Sequence, residues 1–114
     1  MAGTPKRFGP LALTATPTTN IYNGGGGSAL LYDVLTHIHI VNKTAGAVTF
    51  SLWLGATGGN AAGTEVVGQA RSIPANSAFD WYGRLKMTST DFLVGGASAG
   101  TSLSITGEYE QYAV

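Results

Sequence analysis

Strict alternation of apolar and polar side chains constrains this chain more than any other feature, and it is clearest from Val48 to Leu54. A period of two is what a β-strand with one buried face requires, because successive side chains point to opposite sides of the strand. The run therefore predicts a strand with Val48, Phe50, Leu52 and Leu54 on its buried face and Thr49, Ser51 and Trp53 on the other.

The segment before this strand, Leu35 to Val41, is apolar on both faces, as expected of a strand inside a sheet rather than at its edge. Between the two strands, residues 42–46 read Asn-Lys-Thr-Ala-Gly, in which Asn and Gly tolerate the backbone angles of a tight turn. The sequence therefore predicts a β-hairpin here, and no segment of the chain shows a comparable helical period.

Short alternating runs separated by turn residues continue along the whole chain. Turn signals recur roughly every 8–12 residues, a pattern typical of an all-β sandwich or jelly roll. We predict a single antiparallel, jelly-roll-like β-sandwich of about eight short strands. Those outside the hairpin are expected at residues 11–16, 18–23, 65–72, 79–86, 92–94 and 101–112, and the first strand of the hairpin is expected to begin as early as Ala29.

The inward positions of these strands predict the core. It is expected to contain Ile38, Ile40, Val48, Phe50, Leu52, Phe79, Trp81, Leu85, Leu103 and Ile105. Residues 1–9 have no period and are predicted to be a flexible N-terminal arm, which leaves residues 10–114 as the sandwich domain. The Gly24–Gly27 tract is expected to be a mobile hairpin tip, and residues 55–64 an exposed loop.

Composition narrows the function classes. Only 11% of the residues are charged, against about 25% in a usual soluble domain. Of the 114 residues 17 are Gly, and the formal net charge is zero. A charge-poor surface favours a component of an assembly, and the zero net charge argues against nucleic acid as a partner. Without Cys there is no thiolate nucleophile, and no apolar run is long enough for a signal peptide or a membrane span, so synthesis in the cytoplasm is expected.

His37 and His39 are the only histidines, and their spacing points both rings to the same face of a strand. Imidazoles in this arrangement are metal ligands in some sandwiches, including cupins, but the carboxylate that the cupin motif requires a few residues later is absent. Asp33 is expected on the same face, further along the strand. We predict a structural or interface role for the pair, with no metal, no cofactor and no catalytic residue; His37 and His39 are retained as the metal candidates.

Several aromatic and basic side chains are candidates for contacts with partners. Trp53 lies on the polar face of its strand, where either a covering loop or a protein or sugar partner would bury it. Tyr82 and Tyr112 are candidates for partner contacts on the same grounds. At the N-terminus, Lys6, Arg7 and Phe8 are candidates for an arm that docks on a neighbour.

The order of the strand and turn segments along the chain resembles that of the small β-sandwich virion proteins of tailed bacteriophages, which include head-decoration and minor structural proteins. The resemblance is carried by four parts of the chain, from Phe8 to the Thr-Asn-Ile-Tyr segment, the hairpin His-Ile-His-Ile-Val-Asn-Lys-Thr-Ala-Gly-Ala-Val-Thr-Phe-Ser-Leu, the turn Ser-Ile-Pro-Ala-Asn-Ser at 72–77, and the strand Ser-Ile-Thr-Gly-Glu-Tyr at 104–109. The Gly24–Gly27 tract departs from the Pro/Gly turn expected of this group.

This resemblance implies a non-enzymatic capsid decoration protein that binds the assembled lattice of the major capsid protein on the outer surface of the head. It also implies a homo-oligomer, often a trimer, with Lys6, Arg7 and Phe8 docking on the lattice. Three alternatives stay open at this point: a tail or baseplate component, a carbohydrate-binding module using Trp53 and Tyr82, and a metal-dependent cupin-like enzyme.

Overall fold

The structure, a computed structural model, describes residues 3–114, and nearly all of them belong to eight antiparallel strands and the turns between them. The strands are β1 (Thr4–Ala12), β2 (Asn20–Asn23), β3 (Leu31–Asn42), β4 (Val48–Gly55), β5 (Glu65–Ile73), β6 (Ser77–Met87), β7 (Phe92–Ala97) and β8 (Leu103–Ala113). None of the helical segments in residues 3–114 has the length and apolar character of a transmembrane span.

The strands form two four-stranded sheets that pack face to face. The first sheet has the order β1-β8-β3-β6 and the second has the order β2-β7-β4-β5. Every neighbouring pair is antiparallel, and consecutive strands mostly alternate between sheets, as in a jelly-roll-like sandwich. The predicted fold class is confirmed.

The core lies between the two inner faces and follows from the alternation in the sequence. On β4, Phe50 and Leu52 point inward and are almost completely buried, while Thr49 and Ser51 point outward. β3 lies between β8 and β6, as predicted for an interior strand, but its outward side carries His37 and His39, so the prediction that it is apolar on both faces is wrong. Of the predicted core residues, Ile38, Ile40, Val48, Phe50, Leu52, Leu103 and Ile105 are buried, and Phe79, Trp81 and Leu85 pack against them partly buried.

The N-terminal segment is a strand of the first sheet, so the prediction of a flexible arm over residues 1–9 is wrong for Thr4 to Gly9; Met1 and Ala2 lie outside the described residues. Phe8 is buried, pairs with Gly107 on β8, and stacks on Tyr22 with ring centroids 4.8 Å apart. The register shifts between Phe8 and Leu11, and this irregularity interrupts the alternation that would have revealed the strand.

The Gly24–Gly27 tract is a short 3₁₀ turn, and its first two residues are buried, contrary to the prediction of a mobile hairpin tip. The Gly24 N–H donates to the Asp91 carbonyl and the Gly25 N–H donates to Asp33 Oδ2 at 2.7 Å. A Cβ at Gly24 would collide with the Thr88 backbone, and Gly25 has a φ of 61°. Glycine is required here because the chain makes a tight turn against its neighbours.

Residues 56–64 form a largely exposed loop, as predicted except that Gly55 is the last residue of β4, and the loop is bound to the opposite edge of its sheet. The Asn20 side chain on β2 donates to the Thr57 hydroxyl and accepts the Gly58 N–H. These bonds connect the loop to β2, and β7 lies between β2 and β4 with Val94 opposite Trp53. Both side chains are buried, so Trp53 is not an exposed anchor.

Candidate functional site

The outward side of the first sheet carries the densest group of titratable side chains, which we call the histidine cluster: His37, His39, Asp80 and Glu108. His37 and His39 lie on β3, and the strands on either side supply the two carboxylates. In the β3–β6 register His39 is opposite Asp80, and in the β3–β8 register His37 is opposite Glu108. The shared face predicted for the two histidines is confirmed, since both point away from the core.

A β-bulge at Thr36 determines which β3 residues belong to this face. The register with β8 places Leu35 opposite Tyr109 and His37 opposite Glu108, so Thr36 is an extra residue on β3. The bulge reverses the alternation, and Asp33 therefore points inward and is fully buried. The prediction that Asp33 shares the face of the histidines is wrong for this reason.

Three short contacts connect the histidine cluster. His37 Nδ1 lies 2.7 Å from Glu108 Oε1, and His37 Nε2 lies 2.8 Å from Asp80 Oδ1. His39 Nδ1 lies 2.6 Å from the same Asp80 oxygen. The side chain of His37 is only 19% exposed, whereas that of Glu108 is 60% exposed. The cluster is thus a half-open site with His37 at its centre.

The pKa values of the cluster follow from these contacts. Partial burial acts to lower the pKa of His37, but the hydrogen bonds to Glu108 and Asp80, together with their negative charges, raise it above the ordinary value of 6.5. Hydrogen bonds from His37 and His39 lower the pKa of Asp80. Asp80 is therefore ionised at neutral pH, and its Oδ1 is shared by the two imidazole rings.

Tyr82 and a shallow groove border the cluster. The Tyr82 ring is 72% exposed and stacks on His37, with centroids 4.4 Å apart and ring planes within 2° of parallel. On the other side lies a groove of about 380 Å³ lined by Arg7, His37, His39, Thr106 and Glu108. Tyr82 fixes the plane of the His37 ring, while the groove leaves His39 accessible to solvent.

The other predicted contact residues are distributed differently. Lys6 and Arg7 are exposed on β1, an edge strand of the first sheet. Tyr112 is half-buried on β8, where it stacks on Tyr32 and donates from its hydroxyl to Glu110. Phe8 belongs to the core, so its predicted role as a surface contact is corrected along with that of Trp53.

Sequence reasoning did not assign Asp80 and Glu108 to a site with the histidines. Alternation had placed Asp80 and Glu108 on the outward faces of their strands, which is correct. What it could not supply was the strand order, because β6 and β8 are far from β3 in sequence and adjacent to it only in the folded sheet. The sequence indicated that each acid points outward on its own strand, but it did not indicate that these strands lie next to β3.

Comparison with known proteins adds information about the fold. No protein-family model and no curated protein sequence matches the chain. Among solved structures, the coat protein dimer of Tobacco streak virus superposes with a TM-score of 0.54 at 12% identity, covering 96% of this chain and 83% of that one.

Two further structures superpose on the chain. Bacillus endospore appendages, which form disulfide-linked pili, give a TM-score of 0.54 at 14% identity over 100% of this chain and 91% of that one. A chain of infectious bursal disease virus gives a TM-score of 0.51 at 10% identity over 96% of this chain, which spans only 32% of the viral one. At these identities the likeness concerns the fold.

Proposed function

We propose that this chain is a non-enzymatic virion structural protein, and specifically a capsid decoration protein of a tailed bacteriophage that binds and stabilises the assembled head. The fold supports the general part of the proposal, since two of the three superposed structures are viral and the third comes from endospore appendages that form disulfide-linked pili. The resemblance of the sequence to phage virion proteins supports the specific part.

The observation that carries the proposal is the unequal distribution of charge between the two outer surfaces. The outward side of the first sheet, which we call the charged face, carries Arg7, Asp80, Lys86, Glu108 and Glu110. The outward side of the second sheet, which we call the neutral face, carries mostly small uncharged side chains, namely Ala15, Pro17, Thr49, Ser51, Ser72 and Ser98, and its charged residue is Glu65 at the start of β5 opposite Trp53.

A neutral face of small side chains suits close contact with another protein. Its groove has a volume of only about 160 Å³, so it offers no deep pocket for a substrate. Removing Thr and Ser from water costs far less than removing charges, so the face can lie against a lattice without an unpaired ion. We assign the neutral face to the capsid lattice, and Lys6, Arg7, Tyr82 and Tyr112 to contacts with sister copies.

Each copy needs to bind only weakly if the protein is an oligomer. A trimer that contacts several capsid subunits at once converts later contacts into intramolecular ones, which raises the overall affinity. On this proposal the protein is made in the host cytoplasm and is found on the outer surface of the finished head. A place in the tail or baseplate is the nearest variant, and the carbohydrate-binding alternative is weakened by the burial of Trp53.

The test compares assembled heads with free coat subunits. Heads of the encoding phage that lack this protein are mixed with purified chain and sedimented, and soluble coat subunits are tested in parallel. We expect saturable binding to the heads and none to the free subunits. Equal binding to free subunits, or no binding to heads, would contradict the proposal, and binding to tails would favour the tail variant.

A pair of matched variants tests which face contacts the lattice. Thr49→Glu places a charge on the neutral face, and Ser104→Glu places one on the outward side of β8, where the side chain is also half-buried. Thr49→Glu is expected to weaken binding by at least about tenfold, because an unpaired interfacial charge costs several kcal/mol. Ser104→Glu should bind as the wild type does; the reverse result would assign the contact to the charged face.

A further inference from the structure

The arrangement of ring nitrogens and carboxylates in the histidine cluster raises the question of what lies between them. A neutral imidazole carries a single proton, and with that proton on Nδ1 His37 donates to Glu108 at 2.7 Å and presents a lone pair at Nε2. That lone pair faces Asp80 Oδ1 at 2.8 Å. Two acceptors at this distance repel each other unless a cation, either a proton or a metal ion, lies between them.

We propose that His37, His39 and Asp80 form a binding site for one divalent transition-metal ion of the zinc type, with Glu108 holding His37 in the binding tautomer. One donor atom from each of the three residues lies within 4.8 Å of the other two. Donor atoms around tetrahedral zinc are separated by roughly 3.4 Å, given bond lengths of about 2.0–2.2 Å. Small side-chain rotations therefore bring all three atoms to ligand distance.

The chemistry of the donors selects the class of ion. Two imidazoles and one carboxylate suit Zn²⁺, Co²⁺ and Ni²⁺, whereas Mg²⁺ and Ca²⁺ prefer sets made of oxygen atoms. A proton on His37 would satisfy one of the contacts to Asp80, but a metal ion also uses His39, which converges on the same oxygen at 2.6 Å. The groove beside His39 leaves room for a water molecule at the fourth position.

Residues next to the three ligands hold the ligand side chains in position, as is usual in metal sites. A carboxylate bonded to the far nitrogen of a ligating histidine fixes its tautomer and orientation, and Glu108 does this at 2.7 Å. Tyr82 stacks on the same ring and restricts its rotation. All three ligands lie on paired strands, which are more rigid than loops. The site stands on the outward face and is independent of the capsid contact proposed above.

The experiment measures metal binding by protein without an affinity tag, since a polyhistidine tag would itself bind the ion. After treatment with a chelator, the protein is titrated with Zn²⁺ by calorimetry and with Co²⁺ by visible absorption. We expect one equivalent per chain and the absorption of tetrahedral Co²⁺. NMR of the imidazole nitrogens should show that zinc shifts His37 Nε2 and leaves Nδ1 protonated.

Variants separate this site from fortuitous binding. His39→Gln should abolish stoichiometric binding, and Glu108→Gln should weaken it by about 10–100-fold, the usual effect of removing such a partner. Glu110→Gln, on the same strand and face, is the matched control and should bind as the wild type does. Thermal unfolding checks that each variant folds. If His39→Gln fails to fold, Glu108→Gln still tests the site, because its side chain is exposed and its loss is not expected to affect folding.

Three results would overturn the inference: no stoichiometric binding of Zn²⁺, Co²⁺ or Ni²⁺, binding that Glu108→Gln and His39→Gln leave unchanged, or imidazole resonances that do not move when zinc is added. The last result would identify the cluster as a proton-bridged network of His37 between Asp80 and Glu108. None of these results bears on capsid binding, which the Thr49→Glu variant tests separately.

Discussion

The ring of Phe8 on β1 covers the backbone of Gly107 on β8, and the two residues are directly paired in the first sheet. A Cβ atom at Gly107 would overlap the Phe8 ring, so only glycine allows the ring to lie there. This contact fixes the N-terminal strand to the sheet and brings Phe8 onto Tyr22 and Tyr109 in the core. The attachment of β1 therefore depends on a residue almost one hundred positions away.

Gly107→Ala is expected to destabilise the protein by roughly 1–3 kcal/mol, because an added methyl group in a packed core displaces its neighbours. Urea denaturation monitored by circular dichroism measures the free energy of unfolding. Gly46→Ala is the control, since a Cβ at Gly46 meets no atom within 4 Å. If the segment around Phe8 were a detached arm, the two variants would be equally stable.

Trp53→Ala is expected to destabilise the protein by about 3–5 kcal/mol, the usual cost of truncating a buried large aromatic side chain. Tyr82→Ala, which removes an aromatic side chain that is 72% exposed, should change stability by no more than about 0.5 kcal/mol. Thermal melting of both variants makes the comparison. A stable Trp53→Ala protein that has lost only partner binding would restore the surface role predicted from the sequence.

The sequence predicted the sandwich well because alternation is a local property. Whether Phe50 and Leu52 point inward depends only on the pleat of β4, and the same holds for Leu103 and Ile105 on β8. The predictions failed where an irregularity breaks the period. The bulge at Thr36 turned Asp33 inward, and the register shift after Phe8 concealed a strand. Nothing in the sequence marks the bulge at Thr36, whereas Gly9 and Pro10 stand at the second irregularity, where Gly9 has a φ of 77°.

The histidine cluster and the burial of Trp53 needed information that no local pattern contains. The cluster depends on β6 and β8 lying on either side of β3, and strand order follows from the packing of the whole chain. Trp53 is buried although alternation points it outward, and the loop that follows β4 is held by Asn20, far away in sequence. Alternation alone placed Trp53 correctly on the outward face but could not show what covers that face.

Asn42 connects two turns at one end of the sandwich, and its side chain is fully buried. Its Nδ2 donates to the carbonyls of Gly46 and Ile73 at 2.9 Å, and its Oδ1 accepts the backbone N–H of Thr44. Asn42→Asp removes both donors and places a charge against two carbonyl oxygens. We expect a loss of about 2–3 kcal/mol or more in urea denaturation at neutral pH.

Asn60→Asp is the control for this substitution, because Asn60 lies exposed in the loop after β4. It should leave the free energy of unfolding within about 0.5 kcal/mol of the wild type. Equal stability of Asn42→Asp and Asn60→Asp would show that the hydrogen bonds of Asn42 do not hold the two turns together.

Asp33 is the buried ionisable group whose charge opposes folding. Burial raises the pKa of Asp33 above its ordinary value of 3.8, although the hydrogen bond from the Gly25 N–H opposes the shift. A carboxyl group with a raised pKa in the folded state stabilises the fold when protonated, below the ordinary pKa, and this contribution is lost as the pH rises through the raised pKa.

Asp33→Asn keeps an acceptor for Gly25 and carries no charge. The variant should therefore melt at a higher temperature than the wild type at pH 7, and this advantage should shrink as the pH falls towards 3.8, in thermal melts recorded at intervals between these values. An advantage for Asp33→Asn that stays constant with pH, or a variant less stable than the wild type at pH 7, would show that the carboxylate stabilises the turn in its charged form.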